Sequence, residues 1–156
     1  MTNLIYNFFV HNKQKRLTVH ALLLSAKYRA LLRFVPVARL RPRFGAEGQE
    51  TPCEPLETED LRRVWHISNR VNRVANRTPW ESKCFVRALV AQRLLKSYGL
   101  PSTFYLGVAK EGTSGMKAHA WIRSGPHYIT GGNGEEFAIV AKFTRYPRGW
   151  QGETAL

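Results

Sequence analysis

The hydrophobic period of this chain changes once, near Gly99-Leu100-Pro101, from helical spacing to extended alternation. Upstream, Leu17, Ala21, Leu24, Tyr28, Leu31 and Val35 recur at intervals of four and three. They form one apolar stripe on a helix over roughly residues 17–35, which Pro36 ends. Leu22, Leu23 and Leu32 widen the stripe, so this helix must dock on its own domain or on a partner. A second helix is predicted from Thr58, read as its N-cap, with Glu59 and Asp60 suiting the helix dipole. Its inner face reads Leu61, Val64, Trp65, Ser68, Val71 and Ala75. A third is predicted near Thr78-Pro79-Trp80-Glu81, where Thr78 and Glu81 have capping-box spacing and Ser82 is a competing cap. It buries Phe85, Ala88, Leu89, Gln92 and Leu95 and stops at Gly99. Strands follow at 103–109, 118–123, 127–130 and 137–143, separated by Gly-containing turns. Helices first and an antiparallel meander afterwards predict an α+β domain.

Composition narrows what such a domain does. At 156 residues, 44% hydrophobic and 22% charged, the chain can bury one core without disulfides or metal. The organisation expected is a basic helical segment over 1–46, a Pro- and Gly-rich linker over 47–57, a domain over 58–145 and a loose tail over 146–156. Two cysteines, Cys53 and Cys84, suit a reduced, cytoplasmic compartment better than a disulfide framework. The longest apolar run, residues 4–10, falls far short of the roughly 18 residues of a membrane span. Basic residues follow that run instead of preceding it, unlike a signal peptide.

Charge is the unbalanced feature. Lys and Arg number 24 against 11 Asp and Glu, a net +13, and residues 1–46 hold nine of the basic residues and no acidic one. This third of the chain makes its own positive field, which attracts nucleic acid, anionic lipid or an acidic protein partner. A basic nucleic-acid- or protein-binding module is therefore the non-enzymatic alternative, although no zinc-finger or RNP pattern supports nucleic acid. His11, His20, His66 and His127 lack metal-ligand spacing, and two cysteines 31 residues apart do not make a zinc site. The Gly131-Gly132-Asn133-Gly134 loop lacks the lysine and helix of a phosphate loop. No cofactor and no metal are expected.

Nucleophilic chemistry has better support. Cys84 falls at the start of the third helix, where backbone N–H groups favour a thiolate. A nucleophile also needs a base, and His119 in Ala118-His119-Ala120-Trp121 lies on a predicted strand 35 residues later. Asp60 is the only aspartate and precedes Cys84, so no aspartate follows the histidine to orient it. Asn133 is the candidate third member; Thr130 or a backbone carbonyl near Gly131 are the alternatives. Cys53, among Pro52, Glu54 and Pro55, has no helix start or cation to ionise it. Trp80 and Trp121 are candidate walls of a cleft as well as candidate core residues.

These motifs in this order resemble the lasso-peptide biosynthesis B2 proteins, which are transglutaminase-like cysteine peptidases. The features that carry the resemblance are Pro79-Trp80, Cys84 with Arg87-Ala88-Leu89, Leu94-Leu95 before Gly99, and Gly107-Val108. They continue with Ala118-His119-Ala120-Trp121-Ile122, Ile129-Thr130-Gly131-Gly132 and the run at 137–143. The resemblance implies a transglutaminase-like or papain-like fold, with Cys84 as nucleophile and His119 as base. It also implies removal of the leader from a ribosomal precursor peptide, with a separate small leader-recognition protein and an ATP-dependent cyclase as partners. The family's usual aspartate would fall near Gly131 or Gly132. An acyl transferase using the same dyad with an amine acceptor is the alternative chemistry.

Overall fold

The computed structural model describes residues 14–80, 82–112 and 114–149. The helical half forms α1 (Lys15–Phe34), the single-turn α2 (Val37–Leu40), α3 (Thr58–Ala75) and α4 (Cys84–Ser97). The extended half forms β2 (Ser102–Glu111), β3 (Gly115–Ser124), β4 (His127–Thr130) and β5 (Ala138–Arg145). A two-residue strand, β1 (Ala46–Glu47), pairs with β5 and completes an antiparallel sheet in the order β1-β5-β2-β3-β4. The α+β class and the order of helices before sheet follow the change of period in the sequence.

Helix α4 is central because it is apolar nearly all round. Val86, Ala88, Leu89, Val90, Ala91, Leu94 and Leu95 are all buried, with α1 and α3 packed on one side and the sheet on the other. Its end is chemically explicit. Gly99 takes φ +73°, its N–H reaches the Lys96 carbonyl and the Leu100 N–H reaches that of Leu95, a Schellman closure that only a left-handed residue permits. On the helix-facing side of the sheet, Phe104, Ala120, Ile122 and Phe143 meet this layer, and Phe44 stacks on Phe104 at 5.3 Å.

Several expectations need correction. On α1, Leu22 and Leu23 point outward, Leu23 being 63% exposed, so the stripe is narrower than read. On α3 the buried line is Val64, Ile67, Val71 and Val74, while Leu61 and Trp65 are exposed. Spacing of three and four among the β-branched residues sets the seam, and the bulk of Trp65 misdirects the reading. Thr58 is the first helical residue, after Glu57, and caps nothing with its side chain.

α4 begins at Cys84, with Lys83 before it and no side-chain cap. Thr78 instead turns its hydroxyl to the carbonyls of Ala75 and Trp80, and Glu81 lies outside the described residues. The strands run on to Glu111 and from Gly115, past the expected ends at 109 and 118, which leaves a tighter hairpin.

The segment expected as a linker is packed. Thr51 is buried, and its N–H and hydroxyl both lie 2.8 Å from the Thr103 hydroxyl on the sheet face away from the helices. The basic N-terminal segment is built in as well, since Leu17, Ala21, Leu24, Leu40 and Phe44 share one core with α3, α4 and the sheet. Residues 1–13 and 150–156, including His11 and most of the expected tail, lie outside the described residues. Among the described residues no helix is long and apolar enough to cross a membrane.

Candidate active site

Cys84 is half-buried as the first residue of α4, packed against the core from the helix side. The opening N–H groups of a helix have no intrahelical acceptor and carry the positive end of its dipole. The loop before it is pinned at several points. Arg87 Nε donates to the Ser82 carbonyl at 2.8 Å, and another of its nitrogens donates to Asn76 Oδ1 at 2.9 Å. Ser25 on α1 shares a hydrogen bond with Ser82 at 3.0 Å and accepts one from Trp80 Nε1 at 3.0 Å. Trp80 is therefore an anchor of this loop to α1.

His119 lies on β3 opposite Gly107 of β2. Its ring stacks on Phe137 with centroids 4.7 Å apart and lies beside Trp121 at 5.8 Å. A Cβ at position 107 would come 2.7 Å from the Trp121 ring, so glycine is required for that ring to lie flat on the sheet. Trp121 is 2% exposed, a core residue of this second face.

His119 Nε2 is 2.7 Å from the Gly131 carbonyl oxygen. A carbonyl only accepts, so Nε2 carries the hydrogen, and the neutral ring keeps its lone pair on Nδ1. Gly131 reaches this position at φ +80°, a left-handed turn that aims its carbonyl at the ring. Asn133 turns elsewhere: its Oδ1 accepts the N–H of Glu135 at 3.4 Å. The Thr130 hydroxyl oxygen is buried without a partner. Among the alternatives in the sequence, the main chain at Gly131 is the group beside the imidazole.

Cysteine and histidine approach from different sides of the sheet. Alternation along β3 sends Ala120 and Ile122 to the helices and His119 with Trp121 to the other face. No hydrogen bond joins the thiol to the ring among the described residues. β4 pairs with β3 from Ile122 to Ser124, and past that ladder the Gly131 turn lies beside His119 and the Ala120 carbonyl. Cys53 is exposed, and the Arg123 guanidinium interacts with it electrostatically, a cation that the local sequence does not place there.

Ser25 and the anchoring role of Arg87 escaped residue-by-residue reading, whereas a backbone carbonyl near Gly131 stood among the alternatives for the third member. The doubled glycine at 131–132 was the one available signal, because it marks backbone that turns left-handed.

Helices preceding an antiparallel sheet, with a cysteine opening the central helix, define a transglutaminase-like α+β domain. A family model described as the transglutaminase-like superfamily matches residues 23–142, and the chain belongs to that superfamily, whose members are generally cysteine-protease-like enzymes. The match opens within α1, in accord with the packing of that helix into the core. No curated protein and no solved structure matches the chain.

Proposed function

We propose that this protein is a cysteine peptidase that removes the leader from a ribosomally made lasso-peptide precursor. It acts with a separate leader-recognition protein and an ATP-dependent cyclase. Superfamily membership supports the thiol chemistry, and the ordered motifs from Pro79 to Phe143 support the pathway. The observation that carries the reading is the His119–Gly131 contact, which holds the ring in the tautomer a base requires.

In this reading Nδ1 of His119, the ring nitrogen not engaged by Gly131, takes the Cys84 proton. The thiolate attacks the carbonyl carbon at the leader–core junction, and the first N–H groups of α4 stabilise the oxyanion. The C–N bond breaks as the imidazolium protonates the departing core amine, leaving the leader as a thioester on Cys84. Water, losing its proton to Nδ1, then releases the leader carboxylate and regenerates the thiol. Gly131 orients the base through its carbonyl, the role that asparagine fills in papain-like enzymes.

Mass spectrometry of precursor incubated with enzyme and recognition protein tests this. Cys84→Ala and His119→Ala are expected to lose leader removal while remaining folded, and Cys53→Ala to retain it. Leader removal by the Cys84→Ala protein overturns the proposal. A leader product carrying the mass of an added amine assigns the dyad to acyl transfer instead.

A further inference from the structure

A cavity of about 430 Å³ lies between α1, the 3-10 turn Arg41–Arg43 and the C-terminal half of α4. It belongs to none of the chemistry above. Lys27, Arg43, Arg93, Lys96 and Arg145 line it together with Tyr28, and among the described residues no carboxylate does. Among the described residues the ion pairs use Arg41, Arg63, Arg123 and Lys142, so none of these five cations has a carboxylate partner. Arg145 donates to the Arg43 carbonyl, but its buried Nε has no acceptor. Leu31, Leu40 and Leu89 supply an apolar wall.

The crowding of like charge is felt by the residues themselves. Arg145 leads the causes that hold Lys96 below the usual lysine range, followed by burial and Arg93. Arg145 is lowered chiefly by burial, which Tyr28 opposes and Arg93 reinforces. Folding gathers these cations from α1, the 41–43 turn, α4 and β5 into one small volume, which leaves a repulsion that a bound anion relieves.

We propose that this cavity is a binding site for a small phosphorylated molecule. Its phosphate oxygens contact Arg93, Lys96 and Arg145, and its apolar body lies on Leu31, Leu40 and Leu89. Phosphate concentrates nearly two charges and three acceptors in one group, whereas peptide carboxylates bring one charge each at separate residues. Guanidinium forks match phosphate oxygens in pairs, and the free Nε–H of Arg145 is a donor awaiting such an acceptor. The volume is that of a single small-ligand site. Its α4 residues stand five to twelve positions beyond Cys84, roughly 8–18 Å along the axis, so occupancy is separable from the reacting groups.

Calorimetric titration of the full chain with phenyl phosphate, inorganic phosphate and a hexaglutamate peptide, at fixed ionic strength, tests the proposal without any substrate. Phenyl phosphate is expected to saturate one site, more tightly than inorganic phosphate. Arg93→Gln and Lys96→Gln are each expected to weaken it about tenfold or more, as loss of a charge-assisted hydrogen bond does. Both variants are expected to melt at or above the wild-type temperature when unliganded, because repulsion is relieved, and Lys110→Gln on the hairpin is expected to bind like wild type. Absence of saturable binding, wild-type affinity in the Arg93 and Lys96 variants, or equal affinity for the two phosphates overturns it. Hexaglutamate binding at least as tightly as phenyl phosphate overturns it in favour of an acidic peptide.

Discussion

A methyl group at Gly131 would lie 2.7 Å from the Ala120 carbonyl oxygen and 3.0 Å from His119 Nε2, on a backbone already at φ +80°. Gly131→Ala therefore moves either the turn or the imidazole. Leader removal is expected to fall about 100-fold, the scale of a small misplacement of a catalytic group. Gly132 is also left-handed, at φ +68°, but a Cβ there meets nothing within 4 Å. Gly132→Ala is expected to cost about 1 kcal/mol of stability from backbone strain and to leave the rate nearly unchanged. Equal rates for the two variants would show that the carbonyl at position 131 does not orient the base.

Helix α1 does more than carry charge. Ser25 receives the Trp80 indole and shares a hydrogen bond with Ser82, so the loop leading into Cys84 hangs on a helix that ends 50 residues earlier in the chain. Ser25→Ala leaves the Trp80 indole N–H without its acceptor and Ser82 with the Thr78 hydroxyl in place of two partners, at a cost of about 1–3 kcal/mol. A drop in melting temperature together with slower leader removal is the expected result, the second because the loop at 78–83 loosens. Deleting residues 1–46 is expected to unfold the protein, as circular dichroism would report, because it strips Leu17, Ala21, Leu24 and Phe44 from the core.

At the scale of the whole molecule, the far face of the sheet is clamped by Arg123, which is 4% exposed. Its Nε donates to the Tyr105 hydroxyl at 3.0 Å, one terminal nitrogen to the carbonyls of Gly125 and Pro52, and the other to Glu50 and the Thr51 carbonyl. All five guanidinium donors are used. Arg123→Met is expected to cost about 3–5 kcal/mol in urea unfolding, because the acceptors lose their common donor. Burial pushes the Glu50 carboxyl up, but hydrogen bonds from Lys142 and Tyr105 and the charges of Lys142 and Arg123 outweigh it, and the carboxyl sits below its ordinary range. A depressed carboxyl adds stability above its unfolded value and loses it as pH falls through the folded one. The melting-temperature gap between wild type and Glu50→Gln is thus expected to be widest near neutrality and to close toward pH 3. The side chain is 40% exposed, so solvent screening keeps the effect below about 1 kcal/mol.

Local pattern determined a good deal here. The inward stripe from Leu17 to Tyr28, the Gly99 stop and the strand at His127–Thr130 stand as read, because each rests on neighbours one to four positions apart. Helical order before extended order is enough for the α+β class, and a cysteine at a helix start is legible in the chain itself. The clamp joining Glu50 to Arg123, the tie from Ser25 to Ser82 and the cavity cations on four separate elements were decided by tertiary structure alone. So was the sheet face on which His119 lies. Groups tens of residues apart meet only after packing brings their elements together, and hydrogen bonds of that reach leave no period or spacing in the chain.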